Sequence, residues 1–179
     1  MVKRLRNGEN GAMKEFVCQY APCLKGICTR YVSSQEDAKD VFQNALVRII
    51  TKIADFKYQG AGSLQSWASR IVINESIRFL QDHRRHEFAK LDLDVADEPE
   101  EDDPPIDLIP PEVIHRMVSE LPTGYRTVFN LYVFEDKSHE EIASLLGISP
   151  KTSSSQLCRA KNLLAKMITA SNHQNKQQR

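Results

Sequence analysis

The sequence predicts an all-α protein of two small helical domains, joined by an acidic flexible linker, with a helix-turn-helix in the C-terminal domain. Apolar residues recur at helical spacing through both halves of the 179-residue chain. Between the halves, the segment "DLDVADEPEEDDPPIDLIPP" is too acidic and too rich in proline to bury a stabilising apolar surface. We therefore expect a first domain over 1–91, a linker over 92–111, a second domain over 112–170 and a polar tail over 171–179.

The first domain is expected to begin with two helices. The first runs from about Ala12 towards Tyr20 and is broken or kinked at Pro22, because proline removes a backbone donor. Ser34 begins the second helix, with Asp37 three residues later as an approximate capping box. Its apolar stripe, expected in the core, is Val41, Phe42, Ala45, Leu46, Ile49, Ile50 and Ile53. On or beside its outer face lie Asp40, Gln43, Asn44, Val47 and Arg48.

A third helix follows a break in the chain at Gly60 and Gly62, and Ser63 can serve as its cap. This helix carries Leu64, Trp67, Ile71, Asn74, Arg78 and Leu80. Trp67 has two interpretations: a stacking platform for a base, or, more simply, a buried anchor between two helices.

The second domain is predicted to contain a shorter set of helices. Two apolar repeats indicate the first pair: Val113, Met117 and Leu121 before Pro122, then Val128, Phe129, Leu131 and Tyr132. Ser138 and Glu141 form an S-x-x-E capping box for the next helix. Gly147 suits a turn with unusual backbone angles, and Ser149 followed by Pro150 suits the start of the last helix. Two helices joined by a short Gly-containing turn are the helix-turn-helix pattern.

Charge is segregated along the chain although the formal net charge is zero. Residues 1–91 carry 15 Lys and Arg against 9 Asp and Glu, a net charge of +6. Residues 92–111 carry 9 acids and no base, and residues 112–179 carry 9 bases against 6 acids, a net charge of +3. Two basic bodies flanking an acidic segment indicate contact with nucleic acid.

Other site classes find little support in the sequence. Cys18, Cys23 and Cys28 are five residues apart and Cys158 is distant, so no zinc or redox spacing is present. Buried free thiols are the simpler interpretation, with a metal or redox site as the alternative. We expect no cofactor, metal or small-molecule substrate. No apolar run approaches the ~20 residues that span a bilayer, and the N-terminus lacks the apolar core of a signal peptide, which together predict a cytoplasmic protein without membrane insertion.

Two stretches in this order resemble the ECF (extracytoplasmic function) subfamily of sigma-70 family RNA polymerase sigma factors. They are "DAKDVFQNALVRIITKIADFKYQGAGSLQSWASRIVINESIRFLQDHRR" at 37–85 and "LPTGYRTVFNLYVFEDKSHEEIASLLGISPKTSSSQLCRAKNLL" at 121–164. The resemblance implies a non-catalytic protein that binds bacterial core RNA polymerase, recognises the −35 and −10 elements of promoter DNA and helps to open it. It also implies an anti-sigma factor as a regulatory partner.

The resemblance assigns roles to residues of the first domain. The family motif D-x-x-Q, here Asp40 to Gln43, docks on the clamp of core polymerase, so the expected contacts are Asp40, Gln43, Asn44 and Arg48. A plain solvated face is the alternative. Opening the −10 element needs cations for phosphate and a pocket for an extruded base. The residues expected to supply these are Lys57, Tyr58, Ser63, Leu64, Trp67, Arg70, Asn74, Arg78, Arg84 and Arg85.

In the second domain, the resemblance gives the last helix the task of reading the −35 element. Ser153 stands where relatives usually place an inward-facing Val, and it weakens the packing unless its hydroxyl finds a partner. Ser154 and Gln156 stand at positions that are often basic, which lowers the phosphate contribution to affinity. The expected −35 contacts are Lys151, Thr152, Ser154, Ser155, Gln156, Arg159 and Lys161. We therefore expect the isolated chain to bind duplex weakly and its complex with polymerase to bind well.

Three other functions compete with this interpretation. A repressor or activator of another helix-turn-helix class would explain the second domain but not the D-x-x-Q helix or the long linker. An enzyme would need a P-loop, a nucleophile motif or a metal-ligand cluster, and the sequence contains none. A protein-only adaptor would leave Arg84 and Arg85 without a role. The acidic segment is either a spacer or, by imitating nucleic acid, a strand that enters the basic channel of polymerase.

Overall fold

The computed structural model describes the backbone of residues 1–90 and 110–177 and the side chains of 1–83, 110 and 113–171. The all-α prediction is confirmed, since this part of the chain forms helices and contains no strand. The helices are α1 (Val2–Arg6), α2 (Ala12–Tyr31), α3 (Gln35–Lys52), α4 (Ser63–Lys90), α5 (Pro111–Glu120), α6 (Thr123–Val133), α7 (His139–Leu146) and α8 (Pro150–Gln177). Among the described helices, none is both long enough and apolar enough to traverse a bilayer.

The chain divides into two compact units, Met1–His83 and Arg84–Arg179. The helix α4 runs across this division, and α8 continues through the predicted polar tail as far as Gln177. The predicted acidic linker lies outside the described residues except for its last two positions. The proposed boundaries of the domains therefore stay a prediction.

The helix α2 does not end at Pro22, so of the two expected outcomes the break is wrong, and the kink stays a prediction. It continues to Tyr31 because the turns after the proline bury a set of apolar side chains against the rest of the unit. Leu24, Cys28 and Tyr31 are at most 1% exposed. Burying a large apolar side chain contributes about 1.5–3 kcal/mol, so several of them outweigh the ~3 kcal/mol that an interior proline costs.

The helix α3 begins as the sequence predicts. The Ser34 hydroxyl accepts a hydrogen bond from the Asp37 backbone N–H at 3.3 Å, which satisfies one of the free donors of the first turn. Most of the predicted stripe faces the core, and Val41 and Ile49 are buried. Ile50 is wrongly placed by the pattern, because its side chain is 50% exposed. It sits at the edge of the stripe, where helical periodicity alone does not decide burial.

The C-terminal unit contains the predicted helix-turn-helix as α7 and α8. The Ser138 hydroxyl accepts from the Glu141 backbone N–H at 3.2 Å, and the Glu141 carboxylate accepts from the Ser138 N–H at 2.9 Å, so the capping box is confirmed. Gly147 has φ +69°, the left-handed conformation expected for the turn. The Ser149 hydroxyl accepts from the Thr152 N–H at 3.0 Å at the start of α8. An apolar cluster that includes Met117 and Leu164 packs this unit.

Candidate polymerase and nucleic-acid interfaces

The outer face of α3 presents the residues predicted to contact polymerase. Asp40, Gln43 and Asn44 are exposed and lie on two consecutive turns of one face. Val47 and Ile50 continue this face and are 60% and 50% exposed, although both are large and apolar. The polar motif is thus followed, on the same face of the helix, by two exposed apolar side chains.

Arg48 has a partner within the unit. Its Nε lies 2.7 Å from Glu75 Oε1, and the Glu75 side chain is only 11% exposed while that of Arg48 is 38% exposed. This ion pair joins α3 to α4. Arg48 therefore helps to fix the helix that carries the predicted polymerase contacts, with its Nε engaged in this ion pair.

An open cavity of about 510 Å³ lies between the loop 54–62 and the first turns of α4. Asp55, Phe56 and Lys57 contribute from the loop, and Trp67 and Arg70 contribute from the helix. The volume falls within the range of small-molecule binding sites. The five residues just named give the wall two cations, one carboxylate and two aromatic rings. Such a wall can receive a flat base, pair with its polar edge and hold the adjacent phosphate.

The aromatic part of this cavity has a defined geometry. The rings of Phe56 and Trp67 lie 5.2 Å apart at 52°, with Phe56 buried and Trp67 partly exposed. Trp67 thus packs on a buried ring and also lines the cavity, while its role as a stacking platform for a base stays a prediction. Leu64 was expected at the DNA surface, and this is corrected: it is 6% exposed and packs in the core, because the helical turn directs it inward.

Ser63 organises the end of the loop. Its hydroxyl accepts from the Gln59 backbone N–H at 3.2 Å and donates to the Gly60 carbonyl at 2.7 Å. Gly60 and Gly62 have φ +106° and +82°, conformations that residues with a Cβ rarely adopt. The Ser63 hydroxyl is therefore already engaged in two hydrogen bonds that hold the loop in its shape.

The predicted phosphate and base contacts of α4 share one face. Trp67, Arg70, Asn74 and Arg78 recur at intervals of three and four residues, which spreads them over ~16 Å of the helix axis. Arg70, Asn74 and Arg78 are exposed, and the Arg78 pair with Asp82 is long at 3.9 Å. Exposed cations on one straight face suit a nucleic-acid backbone. The side chains of Arg84 and Arg85, the two remaining predicted contacts, lie outside the described residues.

The predicted −35 contacts on α8 separate into two groups. Lys151, Ser154, Ser155 and Lys161 are exposed, whereas Thr152 and Arg159 are partly buried. Thr152 bonds the Ser149 hydroxyl at 2.8 Å, and Arg159 Nη1 donates to the Tyr125 hydroxyl at 3.4 Å.

Gln156 does not belong to the exposed face of α8, and its assignment as a DNA contact is corrected. Its side chain is 1% exposed, on the inner face that it shares with Leu157 and Ala160. A side chain enclosed in this way cannot reach a base edge from its present position.

Ser153 finds the partner that its burial requires. It is fully buried, and its hydroxyl lies 2.9 Å from His139 Nδ1, so a polar contact between α7 and α8 stands where a Val would make an apolar one. The His139 ring also stacks on Tyr132, with centroids 4.9 Å apart. Together these contacts fix α8 against α7 and α6.

The pKa values of Cys28 and Glu141 depart from their ordinary values, each for a clear physical reason. Burial raises the pKa of the Cys28 thiol to about 12, because the thiolate would lose its hydration. Hydrogen bonds from Lys137 and from the Ser138 backbone lower the pKa of Glu141, which keeps the capping box charged. All four cysteines are free thiols. The described residues contain no cluster of three or more ligands that could hold a metal ion.

Residues in three places were not predicted from the sequence. Asp55 and Ser66 line the cavity, and the exposed Ile50 extends the α3 face. Arg6 contacts the start of the loop through two backbone carbonyls. Only the position of Asp55 beside the aromatic-basic loop gave a signal, since the other contacts depend on how distant segments pack.

Comparison with known proteins gives matches in both units. Residues 16–86 match the family model for Sigma-70 region 2, and residues 112–164 match that for Sigma-70, region 4. The RNA polymerase sigma-H factor of Pseudomonas aeruginosa is 26% identical over 94% of this chain and 92% of that protein. The ECF RNA polymerase sigma-E factor of Haemophilus influenzae is 26% identical over 94% and 93%.

A solved structure has a similar fold. The sigma factor RpoE from Bartonella quintana, crystallised with the anti-sigma factor NepR, aligns with a TM-score of 0.50 and 19% identity, over 89% of this chain and 98% of that one. Region 2 and region 4 occur here in the family's order, on the helices that carry the D-x-x-Q face and the helix-turn-helix. The chain therefore belongs to the ECF subfamily of the sigma-70 family of RNA polymerase sigma factors.

Proposed function

We propose that the two units of this sigma factor divide promoter recognition between the cavity and the exposed face of α4, which open the −10 element, and α8, which reads the −35 element. Core RNA polymerase docks on the outer face of α3. The observation that carries the proposal is the cavity of about 510 Å³ between the loop 54–62 and α4, which places an aromatic wall next to exposed cations.

The −10 element is opened by capture of an extruded base. A base that leaves the stack costs a few kcal/mol, and stacking on an aromatic side chain contributes about 1–3 kcal/mol in return. Trp67 and Tyr58, which is 68% exposed, provide aromatic surface at the cavity and beside it. Asn74 pairs with a base edge, and Arg70 and Arg78 follow the phosphates.

The −35 element is read with modest affinity. The four exposed residues among the predicted −35 contacts are two cations, Lys151 and Lys161, and two serines, Ser154 and Ser155. Each phosphate contact adds about one unit to the salt dependence of binding, so a face with few cations binds duplex weakly by itself. Polymerase supplies the remaining affinity by tethering both units to the same promoter.

Membership of the family supports a proposal on regulation and location. The chain acts beside RNA polymerase in the cytoplasm as an initiation factor without a catalytic centre of its own. An anti-sigma factor restrains it, as the Bartonella quintana relative is bound by NepR. Such a partner would compete with polymerase for the exposed face of α3 that includes Val47 and Ile50.

Association with purified core polymerase tests the α3 face. Asp40→Asn and Gln43→Ala are each expected to weaken binding by about tenfold, since loss of one interface contact of 1–2 kcal/mol has this effect. Gln19→Ala, an exposed glutamine on α2, is the matched control and should leave affinity within about twofold. Equal affinity of all three variants and the unaltered chain would contradict the proposed face.

A further inference from the structure

Arg6, near the N-terminus, contacts the start of the loop that forms the −10 cavity. Its Nε donates to the Ile53 carbonyl at 3.1 Å, and its Nη2 donates to the Phe56 carbonyl. Ile53 is the C-cap of α3, which ends at Lys52, and Phe56 lies three residues further along the chain. One guanidinium thus bonds two points of the chain where it leaves the helix and becomes the loop.

The two carbonyls belong to residues that build the cavity. Ile53 and Phe56 are 5% and 3% exposed, and the Phe56 N–H donates to the Ile53 carbonyl at 3.3 Å, forming a tight turn. The Phe56 ring then packs on Trp67 at 5.2 Å, and both rings line the cavity. A continuous series of contacts therefore connects Arg6 to the aromatic wall.

The far end of the loop is fixed independently by Ser63, through its bonds to Gln59 and Gly60. Between the two fixed ends, Lys57 and Tyr58 are exposed and available to a ligand. A site that must accept one base in one orientation needs such a pre-formed shape, because errors of about 1 Å cost much of the binding or rate.

Arg6 differs from the other cations of α1. Arg4 pairs with Glu9 at 3.2 Å and with Glu15 at 2.5 Å, and Lys3 is exposed. The planar guanidinium can donate to two carbonyls at once in a fixed geometry, whereas a lysine ammonium acts as a point charge. The chemistry of Arg6 is therefore suited to holding a backbone turn.

We infer that Arg6 is a positioning residue for promoter opening, which holds the loop 54–62 in the shape that accepts the extruded −10 base. This inference rests on the proposed function of the cavity. It assigns the short helix α1, which lies outside the residues matched by the region 2 model, to the promoter-opening apparatus.

The test measures promoter opening by core polymerase bound to one of three variants of this chain: Arg6→Ala, Arg6→Lys or the control Lys3→Ala. Lys3→Ala removes a charge from the same helix without touching either carbonyl. Opening is followed by the reactivity of unpaired thymines, on a promoter selected with the unaltered protein and on a copy with the extruded base replaced. We expect Arg6→Ala to reduce opening about tenfold and to lower the preference for the original base about fivefold, with Lys3→Ala within about twofold. Arg6→Lys, with its single point charge, should lie between them.

Two results would overturn the inference. If Arg6→Ala and Lys3→Ala reduce promoter opening equally, Arg6 acts only through its charge. If Arg6→Ala slows opening but leaves the base preference unchanged, Arg6 has only a general structural role. Fluorescence of Trp67 monitors folding of the same samples. Should Arg6→Ala fail to fold, Arg6→Lys decides, and opening and base preference equal to those of the unaltered protein would refute the inference. If the unaltered protein opens no promoter, the proposed function itself fails. If the unaltered protein opens the promoter but the Arg6 variants behave as just described, only the inference about Arg6 fails.

Discussion

The ion pair between Arg48 and Glu75 predicts which residues support the α3 face and which contact polymerase. Arg48→Ala removes the partner 2.7 Å from a carboxylate whose side chain is only 11% exposed. Exposed ion pairs contribute about 0.2–1 kcal/mol, whereas loss of one partner from a buried pair costs about 3–5 kcal/mol. The pair is half-buried, so we expect Arg48→Ala to lower the free energy of unfolding by about 2 kcal/mol.

Glu75→Gln should cost less, about 1 kcal/mol, because the amide oxygen still accepts from Arg48 and the half-exposed guanidinium retains water. The double variant should cost less than the sum of the two, with a coupling of about 1 kcal/mol. Arg78→Ala is the matched control. Its pair with Asp82 is 3.9 Å long, with side chains 60% and 54% exposed, and its loss should change stability by less than about 0.5 kcal/mol.

Urea unfolding followed by the fluorescence of Trp67, the single tryptophan, reports on this unit. Polymerase affinity is measured in the same buffer without urea, where every variant is folded. If Arg48 acts mainly as a support, Arg48→Ala should reduce stability but leave polymerase affinity within about threefold. An unchanged urea midpoint, or a coupling below about 0.3 kcal/mol, would refute this reasoning.

Four further predictions concern the cysteines, Ser153 and Tyr58. At pH 8 the native chain should expose Cys18 to a thiol reagent but not Cys28, whose thiolate fraction is about 10⁻⁴, and equal labelling would contradict its burial. Because the folded-state pKa of Cys28 is raised, its contribution to stability should disappear as pH rises from 9.0 to about 12. Ser153→Ala should cost about 1 kcal/mol in chemical unfolding, and little of this should remain in a His139→Ala background. Tyr58→Ala should reduce promoter opening about tenfold without changing polymerase affinity. An equal loss of opening and of affinity would contradict a role for Tyr58 in contacting the extruded base.

Local signals in the sequence predicted the helix starts well. The caps at Ser34 and Ser138 and the turn at Gly147 depend only on residues within four positions, so the sequence contains all the required information. Periodicity also predicted most of the outward face of α3, but it placed the exposed Ile50 in the core. The continuation of α2 past Pro22 was not predicted, because the decision lay with apolar contacts from other helices rather than with the proline.

The candidate site residues were assigned from the resemblance to the family, and the structure corrects two of them, Leu64 and Gln156. Ser153 and Gln156 are both buried despite their polar side chains. Their burial depends on the rotation of α8 against its neighbours. The contact of Arg6 with Ile53 and Phe56 spans about 50 positions of sequence, which no local pattern records. Long-range packing of this kind decides which polar residues are free to meet a ligand.

Transcription from a library of promoter sequences, with purified core polymerase and this chain, tests the central claim most directly. We expect new start sites that depend on the added chain and share two conserved elements, at about −35 and −10, with the Lys151→Ala variant affecting only the first. Starts that are the same with and without the chain would contradict the account, as would chain-dependent starts that share no −10 element.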